Sequence, residues 1–580
     1  MDAKGNKLAC FKGADLKVPG ITDDTVAHFI MRTSEQLAPD DKIAYVEISS
    51  DNRTVAYGEF RNKVFRLSHA LVRRGYGEGD VACIHCCNMP EFVIVLHAAV
   101  AAGMAVTLCN SLYTSYEVAH QLKDSNSVVI FAQADQAIVE KCVKACYDNN
   151  NAEGPDTPSP TSVKEIITLS AEKTEISADS RGLKVMHYLG LLTPDTAEFN
   201  KKLPSVKIDW KTARALIPYS SGTTGLSKGV ALTNYNVYYQ IHQIMKLIHL
   251  EPSCDVFLPI PPLYHIYGTV MAGLTSPFRG ITTLMQQRFD FPAVLKGIQD
   301  YKVTKLALVP PIMLALAKHP MVDKFDLSSV NEILSGAAPQ PAEQIQIACE
   351  RINPNEKIVF TQGYGMTESG GVSSGLPPDA PYECIQKGSV GIPVPGCEIK
   401  IMNIETGETE LCGVEGEVCM RAPSLMQCYL NREEETKNTI MSDGWLRSGD
   451  LGYMNEEGYL WITDRLKELI KYKGNQVPPA QLEAVILTHP SVQDCAVIGI
   501  PDESAGELPR AYVKVKESFE GKVTEGELQA FVKERVAPFK QLKGGVAFID
   551  AIPKSGAGKI LRKTLKDSYL NEQKHKNGTI

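Results

Sequence analysis

Tyr219-Ser-Ser-Gly-Thr-Thr-Gly-Leu-Ser-Lys-Gly-Val230 follows a short apolar run, Ala215-Leu-Ile217, that reads as a buried strand. Its glycines permit tight curvature and bring backbone N–H groups close to an anion, while two hydroxyl pairs and Lys228 add donors and positive charge. The pattern is not a Walker A loop, because glycine rather than Ser or Thr follows Lys228. A Gly/Ser linker rarely places lysine among glycines directly behind a buried strand. The reading is therefore strand, phosphate-binding loop, α/β core.

Outward from this loop, strand-like runs alternate with helix-length segments through most of the chain before residue 460. Val128-Val-Ile-Phe131, Lys305-Leu-Ala-Leu-Val309, Glu332-Ile-Leu334 and Lys357-Ile-Val-Phe360 are examples, and they predict parallel sheets flanked by helices. Near residue 400 the texture changes to Gly-punctuated short strands, such as Gly416-Glu-Val-Cys-Met-Arg421 and Gly458-Tyr-Leu-Trp-Ile-Thr463. After Asp464-Arg465 a compact pattern restarts: helix 479–488, strands 493–499 and 510–515, helix 524–536 and strand 545–549. The expected fold is thus α/β: a large multi-subdomain N-terminal region with parallel or mixed sheets and a β-rich subdomain, plus a small α+β C-terminal domain. The expected boundaries are 1–463, a hinge at 464–467, and 468–580. Residues 148–162, rich in Asn, Pro and Ser, read as a surface loop.

Length and charge bound the function. The chain has 580 residues, enough for a large core without metal or disulfide staples, and a net charge of −8 that argues against a dedicated nucleic-acid binder. That balance is uneven: from Asp464 onward there are 19 Lys and Arg against 15 Asp and Glu, so the C-terminal segment is +4 and the rest −12. A basic small domain suits phosphate-bearing substrates. The 15 cysteines lie in apolar runs, and no secretory signal opens the chain, which favours reduced thiols and a cytoplasmic setting. Cys83-Ile-His85-Cys86-Cys87 lacks a second pair at zinc spacing and reads as core. The uncharged stretch from Phe92 to Cys109 imitates a membrane span, but Pro90-Glu91 opens it like a helix and Gly103 divides it, so helix-then-strand is the expectation.

Taken with further motifs, the Tyr219–Val230 loop resembles the phosphate loop of the acyl-adenylating enzymes, the family of acyl-CoA synthetases, 4-coumarate–CoA ligases, beetle luciferases and peptide-synthetase adenylation domains. Ser227 stands where that family usually has proline, which loosens the loop slightly and leaves the donors intact. The resemblance implies that Ser220, Ser221, Gly222, Thr223, Thr224, Gly225 and Lys228 hold phosphates. In Gln362-Gly-Tyr-Gly-Met-Thr-Glu368 it implies that Gln362, Gly363 and Tyr364 line the adenine site, Thr367 meets the α-phosphate and Glu368 holds Mg2+, a metal that prefers oxygen ligands. Gly336 and Ala337, in Ser335-Gly-Ala-Ala-Pro339, match the wall of the adenine and acyl pockets. Asp450 matches the acid that takes both ribose hydroxyls, as a carboxylate can.

The segment Thr463–Gln476 resembles the family hinge. Arg465 is expected at ribose or phosphate, Lys467 at the pivot, Lys471 in the thioester-forming state, and Lys473 with Gly474 along the pantetheine channel. Lys559, in Pro553-Lys-Ser-Gly-Ala-Gly-Lys-Ile-Leu-Arg562, matches the lysine that bridges substrate carboxylate and α-phosphate. His265 and Tyr267 are expected to face substrate or thiol, and Arg288 to meet the CoA nucleotide.

The motif spellings lie nearest the 4-coumarate–CoA ligase/luciferase-like branch. They imply a two-step ligase taking ATP, Mg2+, CoA and a carboxylic acid, either hydroxycinnamate-like or a medium- or long-chain fatty acid, with a mobile C-terminal domain and a monomeric or homodimeric state. Two alternatives are an adenylation enzyme loading a carrier protein and a non-catalytic nucleotide-binding relative. No carrier-like segment follows Ile580, and Lys559 and Glu368 are both present. The C-terminus lacks a Ser-Lys-Leu-type peroxisomal signal, so cytoplasm is the expected location.

Overall fold

The computed structural model describes residues 7–19, 24–48, 52–147, 161–176, 182–220, 227–336, 342–354, 358–377, 388–466, 468–472, 475–502, 505–536, 538–555 and 558–576. The chain divides into two compact units, one of Met1–Phe11, Ile399–Cys419 and Arg447–Ile580, the other of Lys12–Glu398 and Met420–Leu446. We refer to them as the discontinuous unit and the large unit.

The large unit holds two sheets. One places eight described strands in the order Cys428–Tyr429, Lys228–Thr233, Arg214–Ser220, Ala105–Leu108, Val81–His85, Ser127–Gln133, Glu165–Leu169, Lys184–His187. From Arg214–Ser220 to the far edge the pairing is parallel. The strands Val81–His85 and Ala105–Leu108 are buried throughout, as continuous apolar runs in a parallel sheet must be. The stretch that imitated a membrane span is the buried helix Pro90–Ala101 followed by the strand Ala105–Leu108, with Gly103 turning the chain at φ +89°. No helix among the described residues is long and apolar enough to cross a membrane.

The second sheet orders nine described strands: Ile392–Pro393, Gly371–Gly375, Val359–Met366, Glu332–Ser335, Lys305–Leu308, Val256–Pro259, Thr282–Met285, Ile43–Glu47, Arg53–Ala56. From Val256–Pro259 the chain crosses to Thr282–Met285 on one side, then back to Lys305–Leu308 on the other. Such a reversal opens a crevice beyond the carboxyl ends of the two central strands, where α/β sheets take their ligands.

The discontinuous unit contains a β-rich sheet of Cys10–Lys12, Glu398–Met402, Gly416–Arg421, Leu446–Met454 and Leu460–Arg465. A second sheet orders Asn475–Val477, Ile470–Tyr472, Gly506–Val515 and Val492–Asp502, with Val546–Phe548 added parallel to Gly506–Val515. Alternate residues of Val492–Asp502 serve opposite faces: Cys495 and Val497 join Leu482, Val513 and Leu528, while Ala496 and Ile498 join Tyr512, Ile552 and Leu565. The helices Pro479–Leu487 and Glu525–Lys533 lie where the periodicity predicts them. The fold class is the expected one. The loop predicted over 148–162 lies outside the described residues up to 160.

None of the described cysteines forms a disulfide. In the Cys83–Cys87 run, Cys83, His85 and Cys86 are buried and Cys87 is half-buried, as a core reading requires. No group of His, Cys, Asp or Glu among the described residues could by itself cage a metal ion.

Candidate active site

In the large unit, Arg214–Ser220 and Lys228–Thr233 pair antiparallel with Ser220 opposite Lys228, so these two strands flank the predicted phosphate loop. Ser221, Gly222, Thr223, Thr224 and Gly225 lie outside the described residues. Gly229 has a packing role that its place in a loop motif conceals. A Cβ there would stand 2.9 Å from Leu430 Cδ1 and 3.1 Å from Tyr219 Cζ. Tyr219 in turn donates to Asp124 Oδ2 at 2.8 Å, and His120 Nε2 lies 3.0 Å from the Ser227 carbonyl.

Three further motifs adjoin the carboxyl ends of strands of the nine-stranded sheet: Pro261–Gly268 after Val256–Pro259, Ser335 and Gly336 at the end of Glu332–Ser335, and Gln362–Glu368 at the end of Val359–Met366. Gln362 is in register with Ser335, and a Cβ on Gly336 would meet the Gly363 carbonyl at 3.4 Å and the Tyr267 ring at 3.9 Å. Tyr267, Gly336 and Gly363 therefore adjoin one another. The Tyr267 hydroxyl donates to the Leu334 carbonyl at 3.2 Å and lies 3.4 Å from that of Leu308, so it is anchored across the ends of two strands. Burial pushes that hydroxyl's pKa upward, keeping it a donor.

His265 caps the turn Ile266–Gly268, its Nδ1 accepting the Tyr267 N–H at 3.3 Å. Behind it the seven residues Thr269–Thr275 form a buried π-helix, an unusual element often retained where a site needs it. Ala337 lies outside the described residues, and Arg288 is exposed just beyond the strand Thr282–Met285. Its charge opposes the burial that pushes the Cys87 thiol up to about 12.

Tyr364 is half-buried on the strand Val359–Met366. Thr367 and Glu368 follow in a tight 3-10 turn, both buried. The Glu368 carbonyl accepts the Met426 N–H at 2.9 Å, and its Oε1 accepts the Tyr429 hydroxyl at 2.8 Å. Lys228 Nζ stands 5.1 Å over the Tyr429 ring and is ion-paired with Glu435. Tyr429 thereby joins Lys228 to the acid of the second motif. Neither Tyr429 nor Glu435 carries a sequence signal, because strand pairing and a helix turn far along the chain deliver them. A buried carboxylate beside a threonine hydroxyl is a hard-oxygen set, which fits Mg2+ bound jointly by protein and substrate phosphates.

In the discontinuous unit, Asp450 and Arg465 are register partners on neighbouring antiparallel strands, and Arg465 Nε lies 3.2 Å from Asp450 Oδ1. Burial and the nearby Arg465 guanidinium lower the Lys559 ammonium to about 8, with Glu468 and Asp450 opposing them. Lys559 thus lies within electrostatic reach of the Arg465–Asp450 pair. The Lys559 loop closes on itself, with Ser555 N–H bonded to the Lys559 carbonyl at 2.8 Å and Lys559 N–H to Ser555 Oγ at 3.2 Å. Behind it Arg562 holds Glu483 through two bonds of 2.8 and 2.7 Å and also pairs with Glu468.

Asp464 accepts the Arg465 and Ala480 N–H groups at 2.7 and 3.1 Å, and burial raises it to about 6. Lys471 is elsewhere, exposed on the strand Ile470–Tyr472 with its N–H on Glu507 Oε2 at 3.0 Å. Lys467, Lys473 and Gly474 lie outside the described residues.

Residues 32–430 match the AMP-binding enzyme family, and residues 481–559 match the AMP-binding enzyme C-terminal domain. The chain belongs to the AMP-binding enzyme family. Within it the protein is similar to 4-coumarate–CoA ligase 2 of Petroselinum crispum, 39% identical over 526 residues that cover 88% of this chain and 89% of the relative. It is 35% identical to a probable CoA ligase of Humulus lupulus over 97% of this chain and 96% of that one.

Among solved structures it resembles the o-succinylbenzoate–CoA synthetase of Bacillus subtilis in complex with its acyl-adenylate intermediate. The TM-score is 0.73 at 27% identity, covering 93% of this chain and 98% of the other. ATP-bound MatB from Rhodopseudomonas palustris shares the fold, with a TM-score of 0.76 at 24% identity over 94% and 99% of the two chains. This member of the family is an AMP-forming acid–thiol ligase, an acyl-CoA synthetase whose substrates include ATP and CoA.

Proposed function

We propose that the enzyme activates a hydroxycinnamate-like acid, with a fatty acid as the competing substrate class, and that residues of the two units divide the work as follows. The acid's carboxylate oxygen attacks the α-phosphorus of ATP and pyrophosphate leaves. Lys228 and Lys559 stabilise charge on the phosphoryl oxygens as it builds, Thr367 donates to the α-phosphate, and Asp450 accepts from the ribose hydroxyls. Glu368 would hold Mg2+, whose charge would offset that of the phosphates when bound. The CoA thiol then attacks the acyl carbonyl and AMP leaves, a step assigned to the state in which Lys471 replaces Lys559, with residues 464–467 as the hinge and Lys467 as its pivot. Ser220, the loop residues 221–225, Gln362 and Tyr364 complete the nucleotide site. Arg465 serves ribose or phosphate. Lys473, Gly474 and Arg288 serve CoA.

One observation carries this reading most strongly: Arg465 pairs with Asp450 at 3.2 Å, and the Lys559 ammonium lies within electrostatic reach of both, which offers charge to a phosphate and an acceptor to a ribose. The acid class is supported by the relatives' names, and the adjoining Gly336, Gly363 and Tyr267 are assigned to its pocket. His265, at the cap of the same turn, is assigned to the acyl or thiol side. The buried thiols suit a reducing compartment, for which we take the cytoplasm.

The test is acid-dependent ATP–pyrophosphate exchange, followed by CoA-dependent AMP release, across hydroxycinnamates and fatty acids of graded length. The proposal expects exchange with cinnamates to exceed that with fatty acids at equal concentration. The reverse ranking overturns the acid class. Absence of exchange with every acid overturns the assigned roles.

A further inference from the structure

Tyr429 lies outside every motif quoted from the sequence, yet it is held at three points. Its N–H bonds Thr436 Oγ1 at 3.0 Å, its strand pairs Val230 with Tyr429, and the next residue, Leu430, bonds the Gly229 carbonyl at 2.9 Å. From that position its hydroxyl meets Glu368 Oε1 at 2.8 Å and its ring lies beneath the Lys228 ammonium, 5.1 Å from the centroid. A buried carboxylate without a donor is costly, and a cation over an aromatic face is attracted to it. One side chain therefore touches both charges, Lys228 on a strand of the eight-stranded sheet and Glu368 in the turn that follows Val359–Met366 of the nine-stranded one, with Glu435 as the lysine's ion-pair partner.

We propose that Tyr429 is a positioning residue for adenylate formation: its hydroxyl fixes the Glu368 carboxylate for the metal–nucleotide complex, and its ring fixes Lys228 for the phosphates. This rests on the reading of Glu368 as the Mg2+ ligand. One carboxylate oxygen is taken by the phenol, and the other remains to serve the cation. The two halves of the phenol act separately, so they can be separated by substitution. Tyr429→Phe removes the hydroxyl and keeps the ring. Tyr429→Leu removes both.

The experiment titrates ATP into the full-length protein by calorimetry at a series of Mg2+ concentrations, with thermal unfolding as a control on folding. Tyr429→Phe is expected to raise the Mg2+ concentration giving half-maximal ATP affinity by about tenfold, the worth of one hydrogen bond to a charged group, with Mg2+-free ATP binding within about twofold of wild type. Tyr429→Leu is expected to weaken Mg2+-free binding as well. Glu368→Gln is expected to abolish the Mg2+ response, and adding Tyr429→Phe to it is expected to change nothing further.

An unchanged Mg2+ midpoint in Tyr429→Phe, or an equal loss with and without Mg2+, overturns the proposal. A Mg2+ response that survives Glu368→Gln overturns the reading of Glu368 itself, a distinct result. Should Tyr429→Leu unfold, Tyr429→Phe carries the test by itself; should Tyr429→Phe unfold, Glu368→Gln reads the same bond from the other side, and a Mg2+ response that survives it overturns the proposal.

Discussion

Around Gly268 and Gly365 the backbone of the large unit closes so tightly that no side chain fits. A Cβ on Gly268 would stand 2.1 Å from the Pro262 carbonyl oxygen, and one on Gly365 would stand 1.8 Å from that of Gly371. Around Lys559, in the discontinuous unit, the chain is held by charges instead: Arg562 against Glu483 and Glu468, and Arg465 against Asp450. Steric closure of main chain against main chain gives one geometry and resists change. An ion-pair cluster holds a loop firmly while its partners are present, and its balance shifts with pH and with arriving phosphates. The turns that set Tyr267 and Thr367–Glu368 are built the first way, and the loop that carries Lys559 is built the second way.

The sharpest way to break that contrast is Gly365→Ala, which drives a methyl group into a carbonyl that cannot move. A loss of about 4 kcal/mol or more in denaturant unfolding is expected, at the extreme of point substitutions. A loss under about 1 kcal/mol would show that the strand Gly371–Gly375 yields. Arg562→Met leaves two acids of the discontinuous unit without their cation, and about 3 kcal/mol or more should be lost at pH 7. Because protonation relieves unpaired acids, that loss should shrink as the pH falls, and a loss independent of pH would argue for packing instead.

Lys559→Ala should lower the rate of adenylate formation about a hundredfold, in line with removal of one charge-stabilising donor, while thioester formation from supplied acyl-adenylate is spared. Equal loss of both steps would contradict the division between Lys559 and Lys471. The smallest effect concerns pH. Burial and Arg465 lower Lys559 to about 8, so its cationic form is lost as the pH rises through that value. The kcat/KM for ATP, which reports the free enzyme, should therefore fall above about pH 8, and Lys559→Arg should move that limb upward. A limb unmoved by the arginine would assign it to another group.

Much of this was legible in the chain itself. The helix Pro90–Ala101 and the strand Ala105–Leu108 followed from a proline, a glycine and an apolar run. The strand Arg214–Ser220 ahead of the predicted phosphate loop followed from the apolar run Ala215–Ile217, whereas its antiparallel partner Lys228–Thr233 did not. Gly229 was legible only as a loop glycine, since Leu430, which fills the space above it, lies 201 positions onward. The pairing of the N-terminal strand Cys10–Lys12 with Glu398–Met402 had no sequence signal either, because a three-residue edge strand carries too little periodicity to announce a partner.

What the sequence determined by itself is local: periodicity, turn chemistry, and the residue types that phosphate and carboxylate chemistry require. These depend on neighbours within a few positions, so one strand of text suffices to read them. Only the tertiary structure decided that Tyr429 answers Glu368 and Lys228 together, that Tyr267 is moored across two strand ends, and that Asp450 pairs with Arg465 within electrostatic reach of Lys559. Those contacts join positions tens to hundreds of residues apart. Register and burial select them, and neither can be read from one segment alone.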